Sequence, residues 1–451
     1  MTDARDKAAS EAAPLPPATE DFVNWLRKVA PYIHAFSGKT FVVAFVGELV
    51  QQGHLTGLVH DLSLLHAMGM KIVMVYGSRP QVEEQLALRK IESRFHNGLR
   101  ITDAAALESA KEAAGELRLD IEAAFSQGLP NTPMAHASVR VVSGNFVTAR
   151  PLGVVEGIDL QSTGVVRKVA VDAIRHALNS NAMVLLGPLG FSPTGEAFNL
   201  TMEDVATTAA MALKADKLIF VTEVEGVLDA DSQLIEELQI DSARAMMRQA
   251  HVSEATRFYL NYITKAVEQG VGRGHLVPFR IDGSVLLELF SHDGVGTMVS
   301  QLNLESLREA GFDDAGNIKD LIEPLELDGT LVKRPQDKIE RDIDHFSVLE
   351  HDGILWGCAA LHPYRDEKMG ELACLVIHPS WQGSGEGERL LQHIEKRARA
   401  QGLARLFVLT TRTSHWFIKR GFQMADVNSL PKDRQKFYDR SRNSQILIKT
   451  L

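Results

Sequence analysis

Four runs of uniformly apolar residues, at 41–46, 72–76, 182–186 and 218–221, leave few folds open to the first two thirds of the chain. A strand with one face in water alternates apolar and polar residues. A strand that is apolar throughout must be covered on both faces, as in a parallel sheet flanked by helices. The first two runs are separated by a helical pattern at 55–69, closed by Gly69. Strand, helix and strand in about 35 residues make a βαβ unit. The alternation goes on with a strand over 139–142, a helix over 169–179 and another over 202–213. Residues 21–298 are therefore expected to form one large α/β domain with a mostly parallel sheet.

Ahead of that domain, residues 1–20 hold Ala, Pro, Glu, Asp and Thr with almost no large apolar side chain, the composition of a disordered tail. Phe22, Trp25, Leu26, Val29, Ile33 and Phe36 then recur at helical spacing, and Pro31 is expected to bend or divide that helix. Trp25 and Phe36 are costly to leave in water, so the stripe calls for cover, from this chain or from another. After residue 298 the style changes. Short strands are expected at 331–332, 346–349, 354–361 and 371–377, in antiparallel order, then one helix over 385–401 and a strand over 405–409. We divide the chain into a tail 1–20, a domain 21–298, a linker with a first helix 299–324, and a smaller α+β domain 325–451.

The balance of 48 Lys and Arg against 58 Asp and Glu gives a net charge of −10, which argues against nucleic acid or an anionic membrane as partner. No run reaches the roughly 20 apolar residues of a membrane span, and no apolar segment of a signal or transit peptide opens the sequence. Cys358 and Cys374 are the only cysteines. They exclude a disulfide scaffold and a four-cysteine zinc site and favour a reducing, cytoplasmic setting. No metal is expected.

The most specific chemistry lies in the second domain. A strand ending at Val376 and Ile377 runs through Pro379 into Gln382, Gly383, Ser384, Gly385, Glu386 and Gly387, which open a long helix. Glycines let the backbone approach a ligand, and N–H groups at a helix start cradle an anion such as a pyrophosphate. The spacing alone also fits a plain turn, and it departs from a dinucleotide-binding loop because position 388 is Glu. The order of strand, Gln-x-x-Gly-x-Gly loop, helix and strand, followed by Trp416, Phe417, Arg420, Gly421 and Phe422, resembles the Gcn5-related N-acetyltransferase family over about 325–451. The resemblance implies that the loop holds acetyl-CoA and that the backbone near Val376 and Ile377 meets the thioester arm. Acetyl transfer to an amine needs a base. Glu371 is the candidate, or else a strand-edge carboxylate paired with a cation. Cys374 is either the donor to the leaving thiolate or a small core residue, and Tyr438 is a rival acid.

In the first domain, 199–206 and 215–228 resemble the amino-acid kinase family, acetylglutamate kinases in particular, and the likeness runs through most of 38–298. Two phosphate-handling elements depart from it. Ala44 stands where the family has Lys, and Gly77, Ser78, Arg79 and Pro80 replace a glycine-rich loop. Losing a cation and crowding the cradle removes the positioning on which phosphoryl transfer rests. Lys217 remains, expected without partners. A spoiled kinase domain joined to an acetyltransferase resembles the bacterial N-acetylglutamate synthase family over nearly the whole chain. That likeness implies an α/β fold in which an amino-acid-kinase-like, mostly parallel sheet sandwich precedes the acetyltransferase domain. It implies acetyl transfer from acetyl-CoA to L-glutamate, the carboxylates being held by Lys333, Arg334, Thr410, Arg442 and Ser444. It implies L-arginine as inhibitor at Tyr32, His275, Asp282, Glu288, Gly294, Gly296 and Thr297, and a homo-oligomer, a hexamer. The competing readings are a working acetylglutamate kinase and a non-catalytic arginine sensor.

Overall fold

The uniformly apolar runs become buried parallel strands. The computed structural model describes residues 17–127, 139–291, 294–301, 305–351, 354–379, 382 and 385–451. The chain divides into two units, Met1–Leu302 and Asn303–Leu451.

In the first unit α1 (Pro17–Phe36) leads to β1 (Thr40–Phe45), α2 (Leu55–Ala67) and β2 (Lys71–Tyr76). Then come β3 (Arg140–Ser143), β4 (Val147–Pro151), β5 (Gly164–Val169), β6 (Ala182–Leu186), β7 (Leu189–Phe191) and β8 (Ala197–Asn199). They are followed by α3 (Met202–Leu213), β9 (Lys217–Thr222), β10 (Glu237–Gln239), β11 (Arg273–Pro278), α4 (Ser284–Phe290) and β12 (Thr297–Ser300). Eight strands form one sheet in the order β10-β12-β11-β9-β1-β2-β6-β3, parallel except between β11 and β12. Its central strands are buried almost end to end, as two-sided cover demands. α3 starts where Thr201 accepts a hydrogen bond from the Asp204 N–H, and it stops at Lys214 in the left-handed region.

A second sheet, β8-β7-β4-β5, was not legible, because its strands are short and mix charges with apolar residues. The expected helix over 169–179 is a strand up to Val169 and a helix only from Val171. Residues 1–16 of the expected tail lie outside the described residues, while 17–20 already belong to α1. α1 passes through Pro31 undivided. Its stripe is split: Val29 and Phe36 are buried, but Trp25 is 51% and Leu26 45% exposed. No described helix is long and apolar enough to cross a membrane.

In the second unit β13 (Glu305–Glu309) precedes α5 (Ala315–Leu327), α6 (Gln336–Arg341), β14 (Phe346–His351), β15 (Ile354–Tyr364) and β16 (Met369–Ile377). α7 (Glu386–Ala400), β17 (Arg405–Thr410), β18 (Gln423–Ala425) and β19 (Gln445–Thr450) complete it. The sheet order is β13-β14-β15-β16-β17-β19-β18, antiparallel except where β16 meets β17. The strand expected at 331–332 does not form. Leu331 N–H instead bonds Leu325 O at 2.8 Å and Arg334 N–H bonds the Glu326 carboxylate at 2.7 Å, so this backbone closes the end of α5. The first strand of the sheet is β13, hidden in the sequence because Glu305, Arg308 and Glu309 surround its single large apolar residue, Leu307.

Alternation along β15 and β16 gives the sheet two distinct faces. Cys358, Ala360, Cys374 and Val376 pack with Ile318, Ile322 and Ile339 of α5 and α6. Ala359, Leu361 and Leu372 pack with Leu390, Leu391 and Ile394 of α7.

Candidate active site

β16 and β17 run side by side for three residues only, Met369–Glu371 against Arg405–Phe407. Beyond that point β16 continues to Ile377 and β17 to Thr410 without pairing to each other, so the sheet splays into a wedge. Buried backbone groups demand partners, and the wedge offers a row of them to an extended, amide-bearing ligand. On the other edge of β16 the ladder slips: Cys358 pairs with Val376, but Ala360 pairs with Ala373. The extra residue is a bulge, with Cys374 at φ +50°. A non-glycine residue in that region costs on the order of 1–3 kcal/mol, a strain characteristic of functional sites.

The wedge leads to the glycine loop. Gln382 donates its side-chain amide to Ile377 O at 3.0 Å, tying the loop to the end of β16. Gly385 takes φ +96° and caps α7. Glu386 opens the helix, buried, with both carboxylate oxygens held by Arg389 at 3.0 and 2.8 Å. Its charge is thereby balanced beside the anion-attracting helix start. A side chain at Gly387 would come within 3.3 Å of Trp416, whose ring carries the Arg420 guanidinium at 3.9 Å. Gly383 and Ser384 lie outside the described residues.

Glu371 stands at the apex of the wedge. Arg434 donates to its two oxygens at 2.7 and 3.1 Å, and the Tyr364 hydroxyl adds a third bond at 3.3 Å. The sequence reading anticipated a cation for this carboxylate but missed Arg434, which sits in a short polar helix without a motif. Burial pushes the Cys374 thiol up to about 11, partly offset by Arg334. The Tyr438 hydroxyl donates to Ser444 O at 2.8 Å, so its proton is already committed.

Of the expected carboxylate-binding residues, Lys333 and Arg334 lie in the loop after α5 and Arg442 reaches that loop, whereas Thr410 and Ser444 have other partners. Arg334 donates to Val332 O at 3.0 Å, and Arg442 to Gly329 O and Thr330 O at 3.0 and 3.2 Å. Arg412, which sequence reasoning passed over, reaches the Asp328 carboxylate at 3.1 Å. Thr410, at the open end of β17, shares a 2.9 Å bond with Thr413. Lys333 is exposed in the same loop as Arg334.

In the first unit the segments around Gly47 and residues 77–81 pack against each other. A Cβ on Gly47 would lie 2.4 Å from Gln81 Oε1 and 2.9 Å from Pro80, and Gln81 donates to Gly47 O at 2.8 Å. Carboxylates collect there as well. Burial pushes Glu203 up to about 7; Arg79 opposes this, while Glu48 and Glu223 add to it. Lys217 is not without partners, contrary to expectation: it lies 3.4 Å from His275 Nε2 and 4.8 Å from the centre of the Phe36 ring. Burial, reinforced by Arg273, holds its pKa well below that of an ordinary lysine.

The expected arginine residues separate into groups. His275 Nδ1 meets Glu288 Oε1 at 2.7 Å, and Glu288 Oε2 accepts from the N–H groups of Val295 and Gly296, both at 3.0 Å. Burial lowers His275 to about 4. Glu288 stays below the usual carboxylate range because these bonds outweigh its burial. A Cβ on Gly294 would lie 2.6 Å from Glu288 Oε2. Tyr32 joins this side through Phe36, with ring centres 6.0 Å apart, and Phe36 in turn lies 6.1 Å from Phe290 of α4. Asp282 instead faces α2, its Oδ1 2.7 Å from where a Gly57 side chain would begin. There it adds to burial in pushing Asp61 up to about 7. Thr297 accepts from Val227 N–H and donates to Ile235 O, both at 2.7 Å.

Residues 39–277 match the amino acid kinase family and 316–422 the acetyltransferase (GNAT) family. An amino-acid acetyltransferase of Ralstonia nicotianae is 62% identical over 99% of this chain and 100% of its own. The chain belongs to the amino-acid acetyltransferase family. The Azotobacter vinelandii amino-acid acetyltransferase is 48% identical over 96% of this chain and all of its own. N-acetylglutamate synthase of Neisseria gonorrhoeae, solved with coenzyme A and L-arginine, is 38% identical with a TM-score of 0.80, over 95% of this chain and 99% of that one. The same synthase solved with coenzyme A and N-acetyl-glutamate gives 39% identity and a TM-score of 0.60, with the same coverage. As an amino-acid acetyltransferase, the chain moves an acetyl group from acetyl-CoA to an amine.

The geometry of the loop gives a direct test. Open space surrounds a Cβ at Gly385, but φ +96° is costly for any other residue. We expect Gly385→Val to raise the KM for acetyl-CoA by about tenfold, since about 1–2 kcal/mol of backbone strain falls on the loop that receives the anion. Steady-state kinetics on a mutant with an unaltered melting curve checks this; unchanged CoA affinity contradicts the loop assignment.

Proposed function

We propose that the second unit makes N-acetyl-L-glutamate and coenzyme A from acetyl-CoA and L-glutamate, the first step of arginine synthesis, and that the first unit senses L-arginine. The observation that carries the reading is the wedge between β16 and β17, open toward the glycine loop at one end and bordered by Glu371 at the other. Acetyl-CoA fits with its pyrophosphate at Gln382–Gly387 and its amide-bearing arm along Leu372–Ile377. The thioester carbonyl then meets a backbone N–H near the Cys374 bulge. The amine attacks the thioester directly, and nothing in the site calls for an acyl-cysteine or a metal.

Glutamate brings two carboxylates and one ammonium. Lys333, Arg334 and Arg442, with the hydroxyls of Thr410 and Ser444, are suited to the carboxylates, since guanidinium groups pair with them through two bonds. Glu371 supplies the negative charge for the ammonium. Cys374 fits the role of bulge and core residue better than that of acid, because its thiol holds its proton tightly. Tyr438 fixes Ser444 and is the residue we assign to positioning the substrate end of the site.

The arginine reading rests on Glu288, His275 and the Gly294–Gly296 backbone, with Tyr32 beside them. Asp282 belongs to a separate acidic corner and Thr297 to the support of the loop. The half-exposed Trp25 and Leu26 of α1 favour a homo-oligomer, which we take to be a hexamer in the cytoplasm. A working kinase is the weaker reading, because the filled Gly47–Gln81 contact and the carboxylates leave no cradle.

Substrate choice tests the acetylation half. Glutamate should be acetylated about 10–100-fold more efficiently than glutamine, because an unpaired guanidinium in a partly dry site is costly. Arg334→Ala and Arg442→Ala should chiefly raise the KM for glutamate. Equal kcat/KM values for the two amino acids contradict the two-carboxylate site.

The regulatory half is read from arginine dose–response curves, each normalised to its own uninhibited rate. Arginine should inhibit wild type, with a coupling of about 1–3 kcal/mol between the two sites. Glu288→Gln should shift the curve to higher arginine by about fivefold or more, since it weakens the carboxylate that shapes the loop. No inhibition of wild type at millimolar arginine ends the sensing assignment.

A further inference from the structure

Lys333 and Arg334 belong to the loop that joins α5 to α6, and that loop is tied down on two sides. On the inner side α5 holds it: Leu331 N–H bonds Leu325 O at 2.8 Å, and Arg334 N–H bonds the Glu326 carboxylate at 2.7 Å. On the outer side two arginines reach it, one from beyond β17 and one from before β19. Arg442 Nη2 donates to Gly329 O and Thr330 O at 3.0 and 3.2 Å. Arg412 spreads its fork over a single residue: Nη1 donates to the Asp328 carboxylate at 3.1 Å and Nη2 to Asp328 O at 3.2 Å. Asp328 also accepts from Thr330 N–H at 2.8 Å, which links the Arg412 contact to the backbone of the loop. Hydrogen bonds from Thr330 hold the Asp328 carboxylate below the usual range, and Arg412 adds to this, so it is charged at neutral pH.

Local chemistry places Arg412. It follows Thr410, at the open end of β17, by two residues, and Thr410 Oγ1 accepts from the N–H groups of Arg412 and Thr413 at 3.3 and 3.0 Å. From that turn Arg412 bridges 84 positions of sequence to Asp328. As a stabiliser the pair counts for little, because the side chains are 58% and 44% exposed and exposed ion pairs are weak. What it does is join the open arm of β17 to the loop of Lys333 and Arg334. That loop belongs to the surroundings of the wedge, since the Arg334 charge acts on the Cys374 thiol in the bulge.

We propose that the Arg412–Asp328 pair is a strap across the amino-acid end of the wedge, which keeps Lys333 and Arg334 set for the substrate carboxylates. The proposal rests on the acetyl-transfer reading and adds to it a positioning residue that governs substrate affinity without touching the substrate. Arg442, assigned to a carboxylate, divides its guanidinium between the substrate and the loop carbonyls. Arg412 stays on Asp328 throughout. A loop held in place beforehand loses less conformational freedom when the amino acid binds. The strap therefore acts on the KM for the amino acid and leaves the acetyl-transfer step alone. A mere cap on the C-terminal carbonyls of α5 would act on the melting temperature instead.

The test compares steady-state kinetics and melting curves of the full-length wild type with those of Arg412→Ala, Arg412→Lys, Asp328→Asn, the Arg412→Ala/Asp328→Asn double variant and Arg334→Ala. The strap residues are exposed, so none of these changes at 328 or 412 leaves a buried charge without a partner. Arg412→Ala should raise the KM for glutamate by about fivefold, with kcat and the KM for acetyl-CoA within about twofold of wild type. Asp328→Asn keeps the acceptor for Thr330 N–H and the backbone carbonyl, so its rise should be smaller, about threefold. The double variant should be no worse than Arg412→Ala, because both changes remove one interaction. Arg412→Lys should recover part of the loss, because an ammonium lacks the fork that spans both acceptors. A lowered melting temperature with an unchanged glutamate KM in Arg412→Ala overturns the proposal, as do a fully additive double variant and an equal rise in the KM for acetyl-CoA. An unchanged glutamate KM in Arg334→Ala removes the carboxylate loop itself, and a wild type that releases no thiol with glutamate removes the acetyl-transfer reading; either takes this proposal with it.

Discussion

The second unit depends on a parallel strand pair that ends after three residues. Had β16 and β17 stayed paired to their ends, their backbone groups would be satisfied and the sheet would have nothing to offer an extended ligand. The separation beyond Glu371 and Phe407 opens the wedge, the bulge at Cys374 turns the backbone within it, and α7 brings its N-terminus to one end. The two faces of the sheet share the labour. The α7 face carries the helix that would receive the cofactor anion, and the α5–α6 face gathers Arg334 and Glu371.

The first unit keeps the sheet of the amino acid kinase family. Its β1 and β9 are buried side by side, and Gln81 packs against Gly47 and donates to its carbonyl. Glu48, Glu203 and Glu223 sit close enough to influence one another, with Arg79 beside them. Lys217 belongs to the buried cluster of His275, Glu288 and Phe36.

Much of this was legible in the residues. Buried strands such as 182–186 and 217–222 announce themselves through unbroken apolar runs, and the glycine loop through its spacing. What escaped notice depends on pairing. Nothing in the sequence says that His362 faces Glu371, because that follows from the ladder register. Arg434 lies 63 residues from the carboxylate it holds. The false strand at 331–332 and the missed strand Glu305–Glu309 share a cause: two apolar residues near a Pro are no stronger a signal than one Leu among charges. The arginine set was drawn together by family likeness; in the structure Asp282 neighbours Gly57 and Asp61 while Glu288 accepts from the Val295 and Gly296 N–H groups.

The most direct measurement follows thiol and ADP release side by side from one enzyme preparation. The substrates are acetyl-CoA with L-glutamate in one arm and ATP with N-acetyl-L-glutamate in the other. A working wedge and a closed phosphate cradle predict thiol appearing in step with N-acetylglutamate and no ADP above background. ADP formation from N-acetylglutamate without thiol release from acetyl-CoA would contradict the assignment of the chemistry to the second unit.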